Sequence, residues 1–230
     1  FGSTAGSSKN KVRFCHPNSS WGPKIVSDTI ISDATWTHIA LVRYGDTITL
    51  YQDGTSVGSV DCTGWTVNSS GTGVVVGRFY TDSDSDYFNG WIDELRISKG
   101  IARWTTDFTP PTSEYYYLET EYLLHFVGDH GNTYVKDSAV YWLRDYTSNF
   151  YDEIGKVWTP HGGVWLRTDS YKWIASAEFD GSDDYISADN SGDWNFGTND
   201  FTIDFWVRRN GDINDYGGVI SGTSNSDNGW

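Results

Sequence analysis

Short apolar runs, rich in aromatic and β-branched residues, recur about every ten residues along this chain with turn signals between them. Clear examples are WTHIALVR at 36–43, TITLYQ at 47–52 and FTIDFWVR at 201–208. The dipeptide Asp53-Gly54, which follows TITLYQ, is a hairpin turn signal. No segment has the spacing of an amphipathic helix. The pattern therefore predicts an all-β chain that folds as an antiparallel β-sandwich or barrel.

The remaining predicted strands lie on both sides of a segment of different character, 99–121, which contains Pro110-Pro111 and Tyr115. We interpret this segment as a linker. Residues 1–98 and 122–230 each supply about five strands, and so few strands cannot close a sandwich alone. We expect each half to complete the other, within the chain or in a neighbouring copy. The remaining strands are predicted at 11–15, 56–60, 73–79, 88–97, 122–126, 174–179, 185–187 and 218–221, with shorter ones at 157–158 and 164–166.

The composition of the chain indicates which kinds of partner it can bind. The formal net charge of −15 argues against binding to nucleic acid or anionic lipid and favours cations. No run of apolar residues is long enough for a transmembrane helix, so we expect no membrane insertion. Aromatic residues make up 17% of the chain, which favours strands. Methionine is absent, and we expect the sequence to be a processed product or part of a longer protein.

The sequence permits two kinds of covalent modification, a disulfide bond and glycosylation. Cys15 and Cys62 are too few for a disulfide framework, and they are either two thiols or one bridge. Asn18 and Asn68 each begin an N-x-S triplet, the acceptor pattern for glycosylation.

Three motifs suggest enzymes, but their contexts argue against catalysis. Gly54 to Gly58 matches G-x-S-x-G, yet its serine begins the return strand of a hairpin and not a strand-turn-helix elbow. Asp93 and Glu94 are adjacent on a predicted strand, so we expect their side chains on opposite faces. Glu178 and Asp180 could share one face of a strand, as the catalytic pattern E-x-D-x-(x)-E requires. The last glutamate of that pattern is missing, because Ser182 or Asp183 stands in its place. We predict a protein that is not an enzyme.

Several of these segments together resemble the laminin-G-like, concanavalin-A-like jelly rolls that are common in phage tail proteins and bacterial surface proteins. WTHIALVR followed by LYQDG at 50–54 resembles the central hairpin of that family. GWIDELRISKG at 90–100 and FTPP at 108–111 resemble its C-terminal strand and tail. FDGSDDYI at 179–186 and DFTIDFWV at 200–207 resemble its N-terminal half. The resemblance implies an antiparallel β-sandwich of the jelly-roll type.

The family order is permuted in this chain. Relatives run from the FDG segment to the IDELRI strand, whereas this chain places residues 1–98, the C-terminal half, before residues 122–230, the N-terminal half. Joining Trp230 to Phe1 restores the family order. We interpret the chain as one period of a tandem array, with a circular permutant and a fragment of two domains as alternatives.

The resemblance also implies a structural Ca²⁺ that links the FDG segment to the IDEL strand. The matching ligands are Asp180, Gly181, Ser182 and Asp184, with Asp183 as an alternative and Asp93 as the distant anchor. Carboxylate and carbonyl oxygens are the ligands that calcium prefers. The alternating acidic loop with Asp82, Asp84 and Asp86 is a second candidate calcium site.

Together these observations predict a non-enzymatic extracellular module of a cell surface or virion, either structural or adhesive. Its expected partners are neighbouring copies in a surface filament or phage tail fibre, and cell-surface glycans. The alternative is a discrete carbohydrate-binding module of a larger secreted protein. The aromatic side chains predicted to stack on sugars are Trp21, Trp65, Tyr216 and Trp230.

Overall fold

The fold is described from a computed structural model of the chain. It describes residues 10–16, 23–68, 73–79, 87–115, 122–124, 150–151, 157–167, 172–173, 175–189, 191–211 and 218–222. All regular structure in these residues is β-strand except a single turn of 3₁₀ helix at Gly192–Trp194. None of the described residues forms a helix with the length and apolar character that crossing a bilayer requires.

Seven strands lie in the first part of the chain and eight follow. They are β1 (Lys11–Cys15), β2 (Pro23–Ile30), β3 (Thr37–Tyr44), β4 (Thr47–Gln52), β5 (Thr55–Asp61), β6 (Val74–Val76), β7 (Asn89–Lys99), β8 (Tyr122–Leu124), β9 (Phe150–Tyr151), β10 (Val157–His161), β11 (Trp165–Arg167), β12 (Ser176–Asp180), β13 (Tyr185–Ala188), β14 (Phe201–Arg209) and β15 (Ile220–Gly222).

Two large sheets face each other. The larger contains the path β11-β12-β7-β14-β3-β4-β5, with β8 also paired to β7, and the smaller has the order β15-β6-β13-β10-β9. All strand pairs in both sheets are antiparallel. A separate hairpin is formed by β1 and β2. The predicted antiparallel β-sandwich is thereby confirmed.

One hydrophobic core fills the space between the sheets. The larger sheet contributes Ile92, Ile203 and Phe205, and the smaller contributes Trp158 and Ile186. These side chains alternate with outward-facing ones along each strand, as a sheet with one face toward a core requires. The core therefore sets which residues of the larger sheet point outward, and these outward residues hold most of the polar groups considered below.

Strand β14 lies between β3 and β7, so strands from the two ends of the sequence alternate in one sheet. Every residue of β14 except Arg208 is buried, although FTIDFWVRR includes an aspartate. A strand is covered on both faces in this way only if something packs on its outer side as well.

The outer cover comes from the segment that follows β7. Trp104 and Phe108 stack with ring centroids 3.9 Å apart and pack on Ala40, Val42 and Tyr51. We call residues 101–115 the strap. The strap is fixed at its middle because the Phe108 N–H donates to the Gly54 carbonyl at 2.9 Å. Although the sequence suggests a linker here, these residues lie against the sheet.

Most predicted strands are present, with shifted ends. The predicted strand at 73–79 shortens to Val74–Val76, and that at 174–179 becomes Ser176–Asp180. Strand β2 was not predicted, because PKIVSDTI contains a proline and polar residues that weaken a strand pattern. The serine of the G-x-S-x-G motif lies in β5 on the return arm of the predicted hairpin.

Candidate functional site

The turn after β12 gathers three carboxylates. Oxygen atoms of Asp180, Asp183 and Asp184 all lie within 4.8 Å of one another. The turn is tight because Gly181 has a φ of 78°, and a Cβ there would lie 2.8 Å from the Asn89 side chain. Asp180 Oδ1 accepts from the Ser182 N–H at 2.7 Å, which closes the turn. These three carboxylates are the only group of this kind among the residues described here.

Asp184 is the buried member of the three. Its carboxylate accepts from the Asp180 N–H at 3.0 Å and from the Gly163 N–H. Burial raises the pKa of Asp184, and the charges of Asp180 and Asp183 raise it further, although the two N–H groups oppose this. A cation at this turn would relieve the repulsion among the carboxylates, so their chemistry fits a hard divalent ion such as Ca²⁺.

Asp93, the expected anchor of that ion, lies elsewhere. Asp180 pairs with Asn89, and Asp93 is four residues further along β7, about 13 Å away at the rise of a strand. The Asp93 carboxylate instead accepts from the N–H groups of Glu94, Lys172 and Trp173 at 2.8, 3.2 and 3.4 Å. The structure thus brings together Asp180 and Asp184 with Asp183, and it separates Asp93 from them.

A β-bulge also corrects the expected orientation of Asp93 and Glu94. Asp204 pairs with Arg96 and Trp206 pairs with Asp93, which leaves Glu94 and Leu95 together opposite one residue of β14. Glu94 has a φ of 54°. Its carboxylate accepts from the Tyr115 N–H at 2.6 Å, on the outer side where Tyr115 packs against Trp206. The expectation of opposite faces was therefore wrong, and both carboxylates point outward.

Next to this bulge lies a network of charged and polar groups beneath the strap. Arg96 donates to both oxygens of Asp204, at 2.9 and 2.8 Å, and Asp204 is fully buried. His38 Nε2 lies 3.5 Å from Asp204 Oδ2 and 2.8 Å from the Tyr115 hydroxyl. The Arg96 guanidinium also lies 4.0 Å from the Tyr115 ring centroid. Through these contacts the network joins β3, β7, β14 and the strap.

This network was not recognised in the sequence, although it left a signal there. Asp204 interrupts the apolar run FTIDFWVR, and Arg96 interrupts IDELRI. A charge within a run that is otherwise buried needs a partner of opposite charge nearby. The register between β14 and β7 places Arg96 opposite Asp204.

The remaining predicted site residues are only partly described. Trp65 is half-buried, and its ring stacks on His16 at a centroid distance of 4.8 Å, so one of its faces is occupied. The other predicted sugar platforms (Trp21, Tyr216 and Trp230), the loop with Asp82, Asp84 and Asp86, and Asn18 all lie outside the described residues. The Asn68 side chain accepts from the Gly197 N–H at 3.1 Å.

The structure resolves the alternatives for the cysteines in favour of thiols. Both Cys15 and Cys62 are free, so a Cys15–Cys62 bridge is not formed. Burial raises the pKa of each thiol, against the smaller opposing effect of nearby cations such as Arg13 and Arg43. Cys62 is fully buried at the core, next to the turn after β5.

Comparison with known proteins agrees with the fold. A laminin G family model, described as the concanavalin A-like lectin/glucanases superfamily, matches residues 1–103. No curated protein and no solved structure gave a significant match to the chain. The matched residues include β1 to β7, and the antiparallel sandwich they help to build has the architecture that this description implies. Residues 1–103 are thus similar to the laminin G family, and the antiparallel β-sandwich of the described residues is consistent with the concanavalin A-like superfamily.

Proposed function

We propose that this chain is a non-catalytic, extracellular structural and adhesive module, a repeat or self-assembling subunit of a surface filament or phage tail fibre, stabilised by calcium. The observation that carries the proposal is that the buried carboxylates on the outer face of the larger sheet are already bonded within the chain. Its buried carboxylates, Asp93, Glu94 and Asp204, all bind backbone N–H groups or Arg96, and the strap lies over much of that face.

Such an arrangement suits a structural role better than catalysis. A general acid or base must be within hydrogen-bond reach of a substrate. Here the Asp204 carboxylate is fully buried, and Asp93 and Glu94 are about as inaccessible. The bonds that these groups make hold the strap and residues 172–173 to β7, and they hold β7 to β14. They therefore support a rigid module whose surface, and not whose interior, meets its partners.

Calcium is proposed at the turn after β12, with Asp180, Asp183 and Asp184 as the carboxylate ligands. Gly181 and Ser182 remain proposed carbonyl ligands. The support is the clustering of three carboxylates and the raised pKa of Asp184. An ion there would join β12 to β13, the strands on either side of the turn, which belong to opposite sheets. Stabilisation by bound calcium would reach about 2.7 kcal/mol at a concentration 100 times Kd.

Sedimentation velocity over a range of protein concentrations tests assembly. The proposal predicts species larger than a monomer that increase with concentration, and a monomer at every concentration would contradict it.

Thermal melting with calcium and with EDTA tests the ion separately. Calcium should raise Tm in the wild type and not in Asp183→Asn. Asp28→Asn, which removes an exposed carboxylate from β2, is the matched control and should keep the response. An absent Tm shift in the wild type would rule out calcium as a stabilising ligand.

A further inference from the structure

The larger sheet ends in β11 on one side and in β5 on the other. Among the residues that the structure describes, β11 pairs only with β12, and β5 pairs only with β4. The outer side of such an edge strand carries N–H and C=O groups without a ladder partner, and a strand of another chain can pair with them. The two ends of the sheet differ in how far they are protected from such pairing.

The end at β5 is protected. The Ser56 N–H donates to the Asp107 carboxylate of the strap at 2.9 Å, so the strap already binds one backbone donor of this strand. The exposed residues of β5 are all polar, namely Thr55, Ser56, Ser59 and Asp61. They offer a neighbouring copy no apolar anchor, so this edge is a poor surface for association.

The end at β11 has an exposed aromatic side chain. Trp165 is 45% exposed and is one of three large hydrophobic residues that the described structure leaves exposed. Leu166 points into the core, so Trp165 and Arg167 lie on the same outer side of the strand. Arg167 Cζ is 5.8 Å from the Trp165 ring centroid. A large apolar side chain on an exposed sheet edge favours pairing with another chain.

We infer that β11 pairs antiparallel with β11 of a second copy of this chain, about a two-fold axis beside Leu166. Such a pairing places Trp165 of each copy opposite Arg167 of the other, so the same contact is made twice. Residues directly opposite each other have Cβ atoms about 5 Å apart, which lets the flat guanidinium lie on the indole face. The two eight-stranded sheets then form one continuous sheet.

The ion pair within the chain is compatible with this contact. Arg167 donates to Glu178 of β12, and their side chains are 30% and 24% exposed. That bond uses an N–H group at the edge of the guanidinium, whereas stacking on an indole uses its flat face. The ion pair therefore stays in place and holds the guanidinium in one orientation, which lowers the entropic cost of association.

The overall charge of the chain predicts how salt affects the pairing. The formal net charge is −15, so two copies repel each other. The β11 contact is made by tryptophan rings, backbone groups and arginines whose charge Glu178 balances. Association should therefore strengthen as salt screens the repulsion between the copies. A contact that consisted of ion pairs between the copies would weaken instead.

Sedimentation equilibrium of the variants tests the inference. The wild type should associate first to a dimer, because the contact joins two copies. Trp165→Lys places an ammonium group opposite Arg167 and should raise the dissociation constant of the dimer at least about tenfold. Trp165→Phe should retain part of the affinity, because it keeps an aromatic face. Tyr44→Ala is the matched control, since Tyr44 is 61% exposed but lies in β3, inside the sheet, and it should associate as the wild type does.

Hydrogen exchange locates the contact. The N–H groups of residues 165–167 should exchange more slowly at concentrations at which the dimer forms, whereas those of β5 should not change. A dimer that Trp165→Lys does not weaken, an equal loss in Tyr44→Ala, or new protection at β5 instead of β11 would overturn the inference.

The inference rests on the self-assembly in the proposed function, and the two can fail separately. Association that persists in Trp165→Lys would reject pairing through β11 and leave self-assembly intact. A wild type that is a monomer at every concentration would reject both.

Discussion

Arg96 and Asp204 form a two-point ion pair that joins neighbouring strands on the outer face of the larger sheet, with N–O distances of 2.9 and 2.8 Å. Burial alone would raise the pKa of Asp204, but the charge of Arg96 and the hydrogen bonds from His38 and Arg96 outweigh it, and the pKa is lowered. The carboxylate therefore remains charged inside the protein, and it depends on Arg96 to do so.

Removing one member of this pair should be far more damaging than removing both. Asp204→Leu leaves Arg96 buried without its partner, and we expect a loss of about 3–5 kcal/mol in the free energy of unfolding. The double replacement Arg96→Met/Asp204→Leu removes both charges and should be clearly less destabilised. Chemical denaturation of the three proteins gives the comparison. Equal losses in the single and double variants would show that the pair itself contributes little.

Asp93 should give stability a pH dependence of the opposite sign to that of Asp204. Burial, and then the charge of Glu94, raise the pKa of Asp93 well above its ordinary value, although three N–H groups oppose this. Above the unfolded pKa of about 3.9, the unfolded chain releases a proton that the folded chain still holds. The stability contributed by this group is therefore full below that pH and is lost as pH rises through the folded pKa.

The asparagine of Asp93→Asn cannot ionise, so this variant should lack the pH dependence of unfolding free energy that Asp93 contributes. The difference in unfolding free energy between wild type and Asp93→Asn should shift in favour of the variant as pH rises from about 4 toward neutrality. The measurement is urea denaturation at a series of pH values. Glu178→Gln, at a half-exposed ion pair on the same sheet, serves as the control. A difference that is constant with pH would contradict the raised pKa.

The sequence predicted the strands far better than the site. The strand conformation of runs such as FTIDFWVR and WTHIALVR can be predicted from their own residues, because side-chain alternation and β propensity do not depend on a distant partner. The orientation of Glu94 was not predictable in this way. It depends on a bulge that appears only when β7 is paired with β14, and the alternation rule fails at a bulge.

The same reasoning explains why Asp93 was expected beside the turn after β12. The tight Asp180–Asp184 turn is local, and its Asp-Gly-Ser sequence predicts a cluster of oxygens. The distance from this turn to Asp93 depends on the register between β12 and β7, which neither sequence segment contains by itself. The sequence of residues 99–121 likewise suggests a linker, because the contact between the strap and Gly54 joins residues that are far apart in the chain.

Gly54 should be intolerant of any side chain because the strap touches it. A Cβ at this position would lie 1.9 Å from the Phe108 carbonyl oxygen, and the residue has a φ of 77°. Gly54→Ala must therefore displace the strap as well as strain the backbone. Gly45→Ala is the matched control, since Gly45 has a φ of 57° and open space around it. It should cost about 1 kcal/mol from backbone strain alone.

We expect Gly54→Ala to lose clearly more stability than Gly45→Ala in chemical denaturation. Limited proteolysis should cut its strap, residues 101–115, faster than the strap of the control. Equal stability and equal cleavage in the two variants would show that the strap can leave Gly54 without cost.

Cys15 and Cys62 should both be found as thiols in protein purified without reductant. Labelling with iodoacetamide in denaturant should modify two cysteines per chain, as measured by intact mass. In the native protein Cys62 should react much more slowly than Cys15, because it is fully buried whereas Cys15 is partly exposed, and the thiolate is the reactive form. Peptide mapping distinguishes the two sites. A chain that resists labelling in denaturant until it is reduced would contain the bridge after all.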